Sequence, residues 1–367
     1  MKKQKKIFYI EVDSAYFINN RLELACYMLG KGYEVHVATI LSSHEDKTII
    51  ISKGIMCHFQ SDTKSSSKYI YKKIKLISPD IIHIFTINAS AKIGLFLLLY
   101  KKCKIILSVT GLGFTFISNS LYAKAIRIFL MFLIPMINIK HDVRFILQNE
   151  DDKTFFIEKY RLKENKVFLI SGSGVNIDKF YPSNINNDIP KILFVGRLLK
   201  DKGIYEFINA SKIVNKNRSN AKFIIAGTID KKNPASLSEQ EIEEIKKMPF
   251  VDYKGYIKNT DVLLRDIDIA CLPSYREGLS KFLIEAGASG KPIITTDVPG
   301  CKEVVENGKN GFLVPVKNAV ALSDALEVLC IDSEKRKRMG EESRKIIENK
   351  FAMNIIVKKT SDVYTDF

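Results

Sequence analysis

Short apolar runs, rich in β-branched residues, alternate along the chain with segments that carry apolar residues at helical spacing. In the first half, the runs 7–12, 33–40 and 81–85 predict buried strands. The spacing of apolar residues over 17–29 predicts a helix between the first two runs. Strands that alternate with helices in this way are typical of a parallel sheet in an α/β fold.

The alternation restarts after residue 190, so the pattern predicts two α/β halves. The other predicted strands are 56–59, 105–109, 145–147, 167–170, 192–195, 223–226, 251–253, 267–273 and 292–296. The other predicted helices are 69–77, 89–100, 121–139, 204–214, 239–248, 261–266, 320–329 and a helical stretch over 334–367. We expect domains over 1–175 and 176–345, a terminal helix over 346–367 that crosses back to the first domain, and ligands in the cleft between the domains.

Composition places the chain among globular proteins. Its 367 residues are enough for two domains, and 46% of them are hydrophobic, which excludes a disordered protein. The six cysteines are scattered through apolar settings without a C-x-x-C pair, which predicts reduced core residues and no metal site. The lysine-rich start is followed by only a short apolar run before Glu11 and Asp13, which is not typical of a signal peptide.

The positive charge of the chain is unevenly spread. The formal net charge is +16, and residues 61–140 alone contain 12 basic and 2 acidic residues. A basic region favours an anionic partner, namely a nucleic acid, a phosphorylated ligand or an acidic membrane surface. A lysine-rich composition without any such partner is the competing interpretation.

The segment 121–139 is strongly apolar and is punctuated by Lys124 and Arg127. Arg127, Pro135 and Asn138 interrupt it, and it is shorter than the ~20 residues that a transmembrane helix needs. An apolar and basic helix of this kind fits either a membrane interface or a buried position on the first sheet.

Two glutamates frame a loop and a helix after the predicted strand 267–273. Glu277 lies in the loop, and Glu285 lies about one turn into the helix that begins near Phe282 and stops at Gly290. Open α/β sheets bind ligands outside the carboxyl ends of their strands, where this loop is expected. The first amides of the helix suit an anionic group, and the two carboxylates suit hydroxyl groups. The pattern therefore predicts a site for a phosphorylated, polyhydroxylated ligand.

A second loop with candidate ligand-binding residues follows the predicted strand 192–195. Gly196 permits close approach of a ligand, and Arg197 and Lys202 place two cations beside the start of the next helix. This setting suits a diphosphate, although neither a Walker A loop nor a G-x-G-x-x-G loop is present. Gly113, in the loop after strand 105–109, either admits a ligand or simply makes a tight turn.

These motifs together resemble the retaining, nucleotide-sugar-dependent glycosyltransferases of family 4. The resemblance rests on Val195-Gly196-Arg197…Lys202-Gly203, on Glu277-Gly278 with Glu285 in the E-x7-E pattern, and on Asn310-Gly311-Phe312-Leu313-Val314. Gly174-Val175-Asn176…Tyr181-Pro182 resembles the family's entry into its second domain. The family implies the GT-B fold, in which two Rossmann-like domains face a central cleft.

The resemblance also implies roles for single residues. Arg197 and Lys202 would hold the donor diphosphate, Glu285 the ribose, and Glu277 the donor sugar. The remaining substrate-binding residues that we assign are Gly196, Gly278, Leu279, Ser280, Lys281, Tyr256 (near the base), Gly113 and Arg21. Ser280 stands where many members have proline, and Asn20-Arg21 stands where many have His-Arg.

We therefore expect a retaining, metal-independent glycosyltransferase without a cofactor. The subgroup with a G-L-G loop implies a UDP-N-acetylhexosamine as donor and a polyprenyl-diphosphate-linked glycan as acceptor, in the assembly of O-antigen, capsule or similar glycans. The enzyme would be cytoplasmic and peripheral at the inner face of the cell membrane, on an anionic surface. The alternatives are a GT-B nucleotide-sugar epimerase and a basic nucleic-acid-binding protein, and no RNA-binding signature supports the second.

Overall fold

Two parallel sheets organise the chain, as the alternating pattern predicts. The computed structural model describes residues 4–60, 66–112, 116, 120–183, 187–217, 220–230, 233 and 235–365. Its contacts divide the chain into unit 1, Met1–Ser173 with Met353–Phe367, and unit 2, Gly174–Ala352.

In the described part of unit 1, seven parallel strands form one sheet in the order β3-β2-β1-β4-β5-β6-β7. The strands are β1 (Lys6–Asp13), β2 (Glu34–Ile40), β3 (Met56–Gln60), β4 (Ile81–Phe85), β5 (Lys104–Val109), β6 (Asp142–Leu147) and β7 (Val167–Leu169). The helices that connect them are α1 (Ser14–Asn20), α2 (Leu22–Gly30), α3 (His44–Ser52), α4 (Ser66–Ile77), α5 (Ile87–Leu98), α6 (Leu121–Lys140) and α7 (Glu150–Tyr160).

The helix predicted over 17–29 is wrong in one respect, because two helices occupy its place. Arg21 separates α1 from α2 with φ −131° and ψ −15°. Two further helices, α3 and α7, were not predicted. Their apolar periodicity is weak, but each begins at a capping residue, Ser43 or Asn149, whose side chain accepts a backbone hydrogen bond.

In the described part of unit 2, six parallel strands form a sheet in the order β10-β9-β8-β11-β12-β13. The strands are β8 (Lys191–Val195), β9 (Lys222–Ala226), β10 (Val251–Gly255), β11 (Ile269–Leu272), β12 (Ile293–Thr296) and β13 (Gly311–Val314), of which β13 was not predicted. The helices are α8 (Ile204–Lys216), α9 (Glu239–Lys246), α10 (Thr260–Arg265), α11 (Lys281–Ala288), α12 (Ala319–Ile331) and α13 (Ser333–Lys350).

The strand order of unit 2 reverses beside β8. The chain runs outward from β8 through β9 to β10 and then returns to the other side of β8 as β11. The loops after β8 and β11 therefore leave the carboxyl edge of the sheet in different directions. A crevice forms between such loops, and open α/β sheets bind ligands there.

The terminal helical stretch is interrupted at Phe351–Ala352, which corrects the single helix expected over 334–367. The Val175 amide donates to the Phe351 carbonyl over 3.0 Å, and Val175 pairs with Ala352 as an isolated bridge. These contacts keep residues 346–352 with unit 2, so the chain returns to unit 1 at Met353 and not at 346.

The last helix, α14 (Met353–Thr365), is held in unit 1 by a buried polar chain. The Tyr364 hydroxyl lies 2.6 Å from His83 Nδ1, and His83 Nε2 lies 2.7 Å from the Ser108 hydroxyl. Tyr364 also donates to the Tyr9 hydroxyl over 3.4 Å. Because His83 is fully buried, burial lowers its pKa well below the usual value and keeps the ring neutral.

The predicted apolar helix 121–139 is α6, and one of its faces is buried. Leu130, Leu133 and Ile137 belong to the core of unit 1 and are almost fully buried. In the part of the chain that the structure describes, no helix is both long and apolar enough to cross a membrane.

Candidate active site

The crevice beside β8 contains a cavity of about 300 Å³. Eight residues assigned from the sequence line it: Gly196, Arg197, Lys202, Glu277, Leu279, Ser280, Lys281 and Glu285. The two loops chosen from separate parts of the sequence therefore meet in one place in unit 2.

The loop after β8 is pressed against the loop after β11. The Tyr275 amide donates to the Asp201 carbonyl over 2.8 Å, and the Ser274 hydroxyl donates to the same oxygen over 3.2 Å. Gly203, with φ +74°, is the N-cap of α8, and a Cβ built on it would lie 2.0 Å from the Pro273 carbonyl oxygen. Only glycine permits this approach, which brings Lys202 next to the second loop.

A third segment supports the Glu277 loop from behind. The Glu277 amide donates to the Pro299 carbonyl over 3.0 Å, and the Ser280 amide donates to the Gly300 carbonyl over 3.1 Å. Gly300 has φ +80°, and an added Cβ would lie 2.4 Å from the Glu277 carbonyl. The backbone on both sides of Glu277 is therefore fixed by residues that follow β12.

Lys202 and Glu277 form an ion pair inside the cavity. The Lys202 ammonium lies 2.5 Å from Glu277 Oε1, and the two side chains are 19% and 13% exposed. Partial burial makes such a pair stronger than one on the open surface. Arg197 differs, because its side chain is 61% exposed and its guanidinium pairs with Asp230 over 3.1 Å. Of these two cations, Lys202 is the more buried.

Glu285 is the buried acid of the site. The Thr260 hydroxyl donates to its Oε2 over 3.2 Å, and the Lys281 ammonium lies 4.0 Å from its Oε1. Burial raises the pKa of Glu285, and the nearby Lys281 charge and the Thr260 hydrogen bond oppose that effect. The carboxylate is thus held in place but only partly compensated, which suits a group that accepts hydrogen bonds from a ligand.

Ser280 acts as the N-cap of α11. Its hydroxyl accepts a hydrogen bond from the Leu283 amide over 3.4 Å. This cap begins the helix at Lys281, so the start of α11 lies at the cavity that Ser280, Lys281 and Phe282 line. The residue that departs from the usual proline therefore has a structural role at the same helix start.

The remaining assigned residues lie elsewhere. Gly278 follows Glu277 in the loop but is not among the residues that line the cavity. Tyr256 follows β10, is 75% exposed and also lies outside the cavity lining. Gly113 lies outside the described residues. The binding roles of all these residues stay predictions.

Arg21 belongs to unit 1, where it is buried beside Glu11. Its Nε lies 3.6 Å from Glu11 Oε2, and its guanidinium carbon lies 4.3 Å from the centre of the Phe85 ring. Burial raises the pKa of Glu11, and the Arg21 charge opposes this. Within the described chain, neither Arg21 Nε nor Glu11 Oε2 has a hydrogen-bond partner. Glu11 was not singled out from the sequence.

Sequence reasoning missed the residues that orient the site. Asp230 pairs with Arg197, Thr260 donates to Glu285, and Gly300 supports Glu277. None of them lies in a recognisable motif, because each reaches the site through the tertiary fold. The six cysteines form no disulfide, and no group of three or more potential metal ligands occurs among the described residues.

Comparison with known proteins decides the family. The model of glycosyl transferases group 1 matches residues 175–346, and that of glycosyl transferase 4-like proteins matches residues 6–139. CapM of Staphylococcus aureus, a capsular polysaccharide biosynthesis glycosyltransferase, is 30% identical over 66% of this chain and 67% of its own length. The chain is a group 1 glycosyltransferase.

A second relative matches more of this glycosyltransferase. The N,N'-diacetylbacillosaminyl-diphospho-undecaprenol alpha-1,3-N-acetylgalactosaminyltransferase of Campylobacter jejuni subsp. jejuni is 30% identical over 74% of the chain and 73% of its own length. Among solved structures, sucrose-phosphate synthase from Thermosynechococcus elongatus superposes with a TM-score of 0.80 at 19% identity, over 99% of each chain. The glycosyltransferase has the GT-B fold, as predicted, with one Rossmann-like sheet in each unit.

Proposed function

We propose that this glycosyltransferase transfers an N-acetylhexosamine from a UDP-sugar, with retention, to a glycan carried on a polyprenyl diphosphate in bacterial surface polysaccharide synthesis. The observation that carries the donor part is the Lys202–Glu277 pair, which lies in one cavity with the buried Glu285. The names of the two relatives support the acceptor, the sugar and the pathway, because one is named for capsular polysaccharide biosynthesis and the other is named an N-acetylgalactosaminyltransferase that acts on a diphospho-undecaprenol.

The diphosphate, the ribose and the sugar of the donor would each contact different charged groups of the cavity. The ammonium of Lys202 and the guanidinium of Arg197 would bind the diphosphate, with the first amides of α11 adding partial positive charge. Glu285 would accept hydrogen bonds from the ribose hydroxyls, and Glu277 from a hydroxyl of the sugar. Because Lys202 is already paired with Glu277, the incoming phosphate would share or replace the carboxylate as its partner.

The transfer replaces one bond to the anomeric carbon of the donor sugar. The bond from that carbon to the β-phosphate oxygen breaks, and its electron pair leaves with UDP. The acceptor hydroxyl oxygen bonds to the same face of the carbon, and its proton passes to the departing phosphate oxygen. Lys202, Arg197 and the helix amides stabilise the charge that develops on the diphosphate. In other glycosyltransferases a divalent metal stabilises the charge on the diphosphate. Because the cations of this site would do so here, we expect full activity in EDTA.

The acceptor places the enzyme at a membrane. A glycan on a polyprenyl diphosphate stays in the bilayer, so its hydroxyl is reached only at the membrane surface. Since nucleotide sugars are cytoplasmic, that surface would be the inner face. A basic region such as residues 61–140, with 12 basic and 2 acidic residues, favours an anionic leaflet and an anionic carrier.

The first experiment measures donor binding by calorimetry. UDP and UDP-N-acetylhexosamines are titrated into the wild type and into Glu285→Ala, with GDP and ADP as base controls. We expect a UDP-selective signal that weakens at least tenfold in the variant, for the loss of hydrogen bonds to a charged group. Equal binding of all three diphosphates would contradict the proposed base, and no binding would contradict the donor site.

A second experiment tests transfer and separates the alternatives. Radiolabelled donor is incubated with a synthetic polyprenyl-diphosphate-linked sugar, and label in the lipid fraction is measured. Loss of donor or change of its sugar without any acceptor would instead indicate an epimerase. Salt-dependent binding of duplex or single-stranded nucleic acid, in the absence of donor binding, would favour the nucleic-acid alternative.

A further inference from the structure

The helix α6 is apolar on the face that points away from the core as well as on the buried one. Six large apolar side chains on it are exposed by 44% to 85%: Leu121, Ile128, Met131, Phe132, Met136 and Ile139. Positions 121, 128, 132, 136 and 139 recur every three, four or seven residues and so lie along one side of the helix. A soluble surface helix normally carries polar residues there.

The neighbouring helix α5 extends this apolar surface. A Cβ built on Gly94 would lie 2.6 Å from Leu133 Cδ2, so the two helices pack closely at this glycine. Leu95 on α5 and Leu99, the residue that caps its end, are 53% and 73% exposed. We call the exposed side chains of Leu95, Leu99, Ile128, Phe132, Met136 and Ile139 the α5–α6 face.

The segment that contains α5 and α6 carries positive charge and no acidic residue. No aspartate or glutamate occurs from Ile81 to His141. The exposed lysines of α5, α6 and the segment after α5 are Lys92, Lys101, Lys102, Lys124 and Lys140. The Lys140 ammonium donates to the Leu98 carbonyl, which ties the end of α6 to the end of α5.

We propose that the α5–α6 face inserts into the interfacial layer of an anionic lipid leaflet. The apolar side chains would enter the boundary between headgroups and acyl chains, and the lysines would contact the anionic headgroups. A second copy of the chain fits this face less well, because the exposed lysines of this segment in the two copies would repel one another. The apolar side chains and the charges thus favour the same partner.

The inference assigns a surface to the membrane that the proposed function requires, and it rests on that function only for the identity of the acceptor. Binding to vesicles and chemistry at the donor site are measured separately. If vesicle binding fails while chemistry at the donor site succeeds, only the surface assignment is contradicted. If chemistry at the donor site fails while vesicle binding succeeds, only the proposed function is contradicted.

The test is flotation of the full chain with vesicles of phosphatidylcholine alone or with added phosphatidylglycerol. We expect binding to the anionic vesicles and little to the neutral ones. Ile128→Gln with Phe132→Gln should lower partitioning by about tenfold per residue, since each loses the burial of a large apolar side chain. Lys92→Glu with Lys124→Glu should lower it about fivefold per charge, and 0.5 M salt should have a similar effect.

Matched controls lie in unit 2. Val320→Gln with Ile331→Gln replaces two apolar residues that are 61% and 77% exposed, and Lys212→Glu with Lys337→Glu repeats the charge change at exposed positions. The control variants should float like the wild type. All variants should bind UDP normally and use a short-chain, water-soluble acceptor at the wild-type rate, while turnover on vesicle-borne acceptor falls for the α5–α6 variants.

Two results would overturn the proposal. The first is equal flotation of the α5–α6 variants and the wild type, which would place the membrane contact elsewhere. The second is absence of vesicle binding together with a dimer, by light scattering, that Phe132→Gln converts to a monomer, which would assign the face to a second copy. If the wild type does not use the soluble acceptor, that result contradicts the proposed function but not the membrane role of this surface.

Discussion

The ammonium of Lys202 lies 2.5 Å from Oε1 of Glu277, so these two residues neutralise each other across the cavity of unit 2. One comes from the loop after β8 and the other from the loop after β11, 75 positions apart. The hydrogen bonds from Ser274 and Tyr275 to the Asp201 carbonyl hold the two loops in this register. The pair is therefore a property of the folded sheet and not of either loop alone.

Substitution of Lys202 and substitution of Glu277 should have different effects on UDP binding and on turnover. Lys202→Ala should weaken UDP binding by 10-fold or more, since a charge-assisted contact contributes about 1.5–3 kcal/mol. Glu277→Gln should leave UDP binding near the wild-type value, because the cation is kept, but lower kcat with the complete donor. Calorimetry with UDP and steady-state kinetics measure both, and an equal loss of UDP affinity in the two variants would contradict a sugar-contacting role for Glu277.

Glu285→Gln should weaken donor binding but stabilise the protein at neutral pH. Burial raises the pKa of Glu285, so the folded chain favours the protonated form and loses stability as pH rises through that raised pKa. The variant should therefore have a higher Tm than the wild type at pH 8, and this difference should vanish below the pKa of an unfolded glutamate, about 4.3. Its UDP affinity should fall about tenfold.

Thermal melts across pH, with exposed Glu341→Gln as the control, check this prediction. A lower Tm of Glu285→Gln at pH 8 would mean that the ionised carboxylate is compensated within the fold. Donor affinity of the wild type should also fall as pH drops through the raised pKa, and the variant should lack this dependence.

Gly300→Ala should impair the site more than an equally strained substitution elsewhere. Gly300 and Gly308 have φ +80° and +79°, but an added Cβ meets the Glu277 backbone at 2.4 Å only at Gly300, and nothing within 4 Å at Gly308. Gly308→Ala should cost only the ~1–2 kcal/mol of left-handed backbone. Gly300→Ala should in addition displace Glu277 and lower kcat/KM at least tenfold, and equal kinetics in both variants would refute a supporting role for residue 300.

Tyr364→Phe should destabilise unit 1, because it leaves His83 Nδ1 buried without its partner at 2.6 Å. The expected loss is about 1–3 kcal/mol of unfolding free energy, from denaturant titration. Tyr160→Phe is the matched control, since the Tyr160 hydroxyl is buried and has no hydrogen-bond partner in the described chain. That variant should be neutral or slightly stabilising, and an equal loss in both would show that ring packing alone matters.

The sequence was sufficient for those parts of the structure that depend on local pattern. Strands of Val and Ile, helix spacing and the loops with Lys202, Glu277 and Glu285 could all be located, because parallel strands bring their carboxyl-end loops to one edge of a sheet. The alternation also predicted two sheets, and the helix 121–139 was located to within one residue of α6.

The rest depends on contacts between distant residues. The break at Arg21 between α1 and α2 follows no proline or glycine, and the Phe351–Ala352 interruption comes from pairing with Val175. Thr260 and Gly300 serve the site through a hydrogen bond and a close backbone approach that no spacing rule contains. The caps at Ser43 and Asn149 were local signals that could have located α3 and α7.

The return of the chain at Met353 separates the order of synthesis from the order of folding. The strands of unit 1 leave the ribosome before unit 2, but the helix that contributes Ile356, Val357, Val363 and Tyr364 to its core leaves after unit 2. While unit 2 is being synthesised, α14 is absent, so His83 and the apolar groups beneath α14 are exposed to solvent. Chaperones could bind this exposed surface. Truncation after Ala352 would therefore act first on the folding of unit 1, although the removed residues follow unit 2 in the sequence.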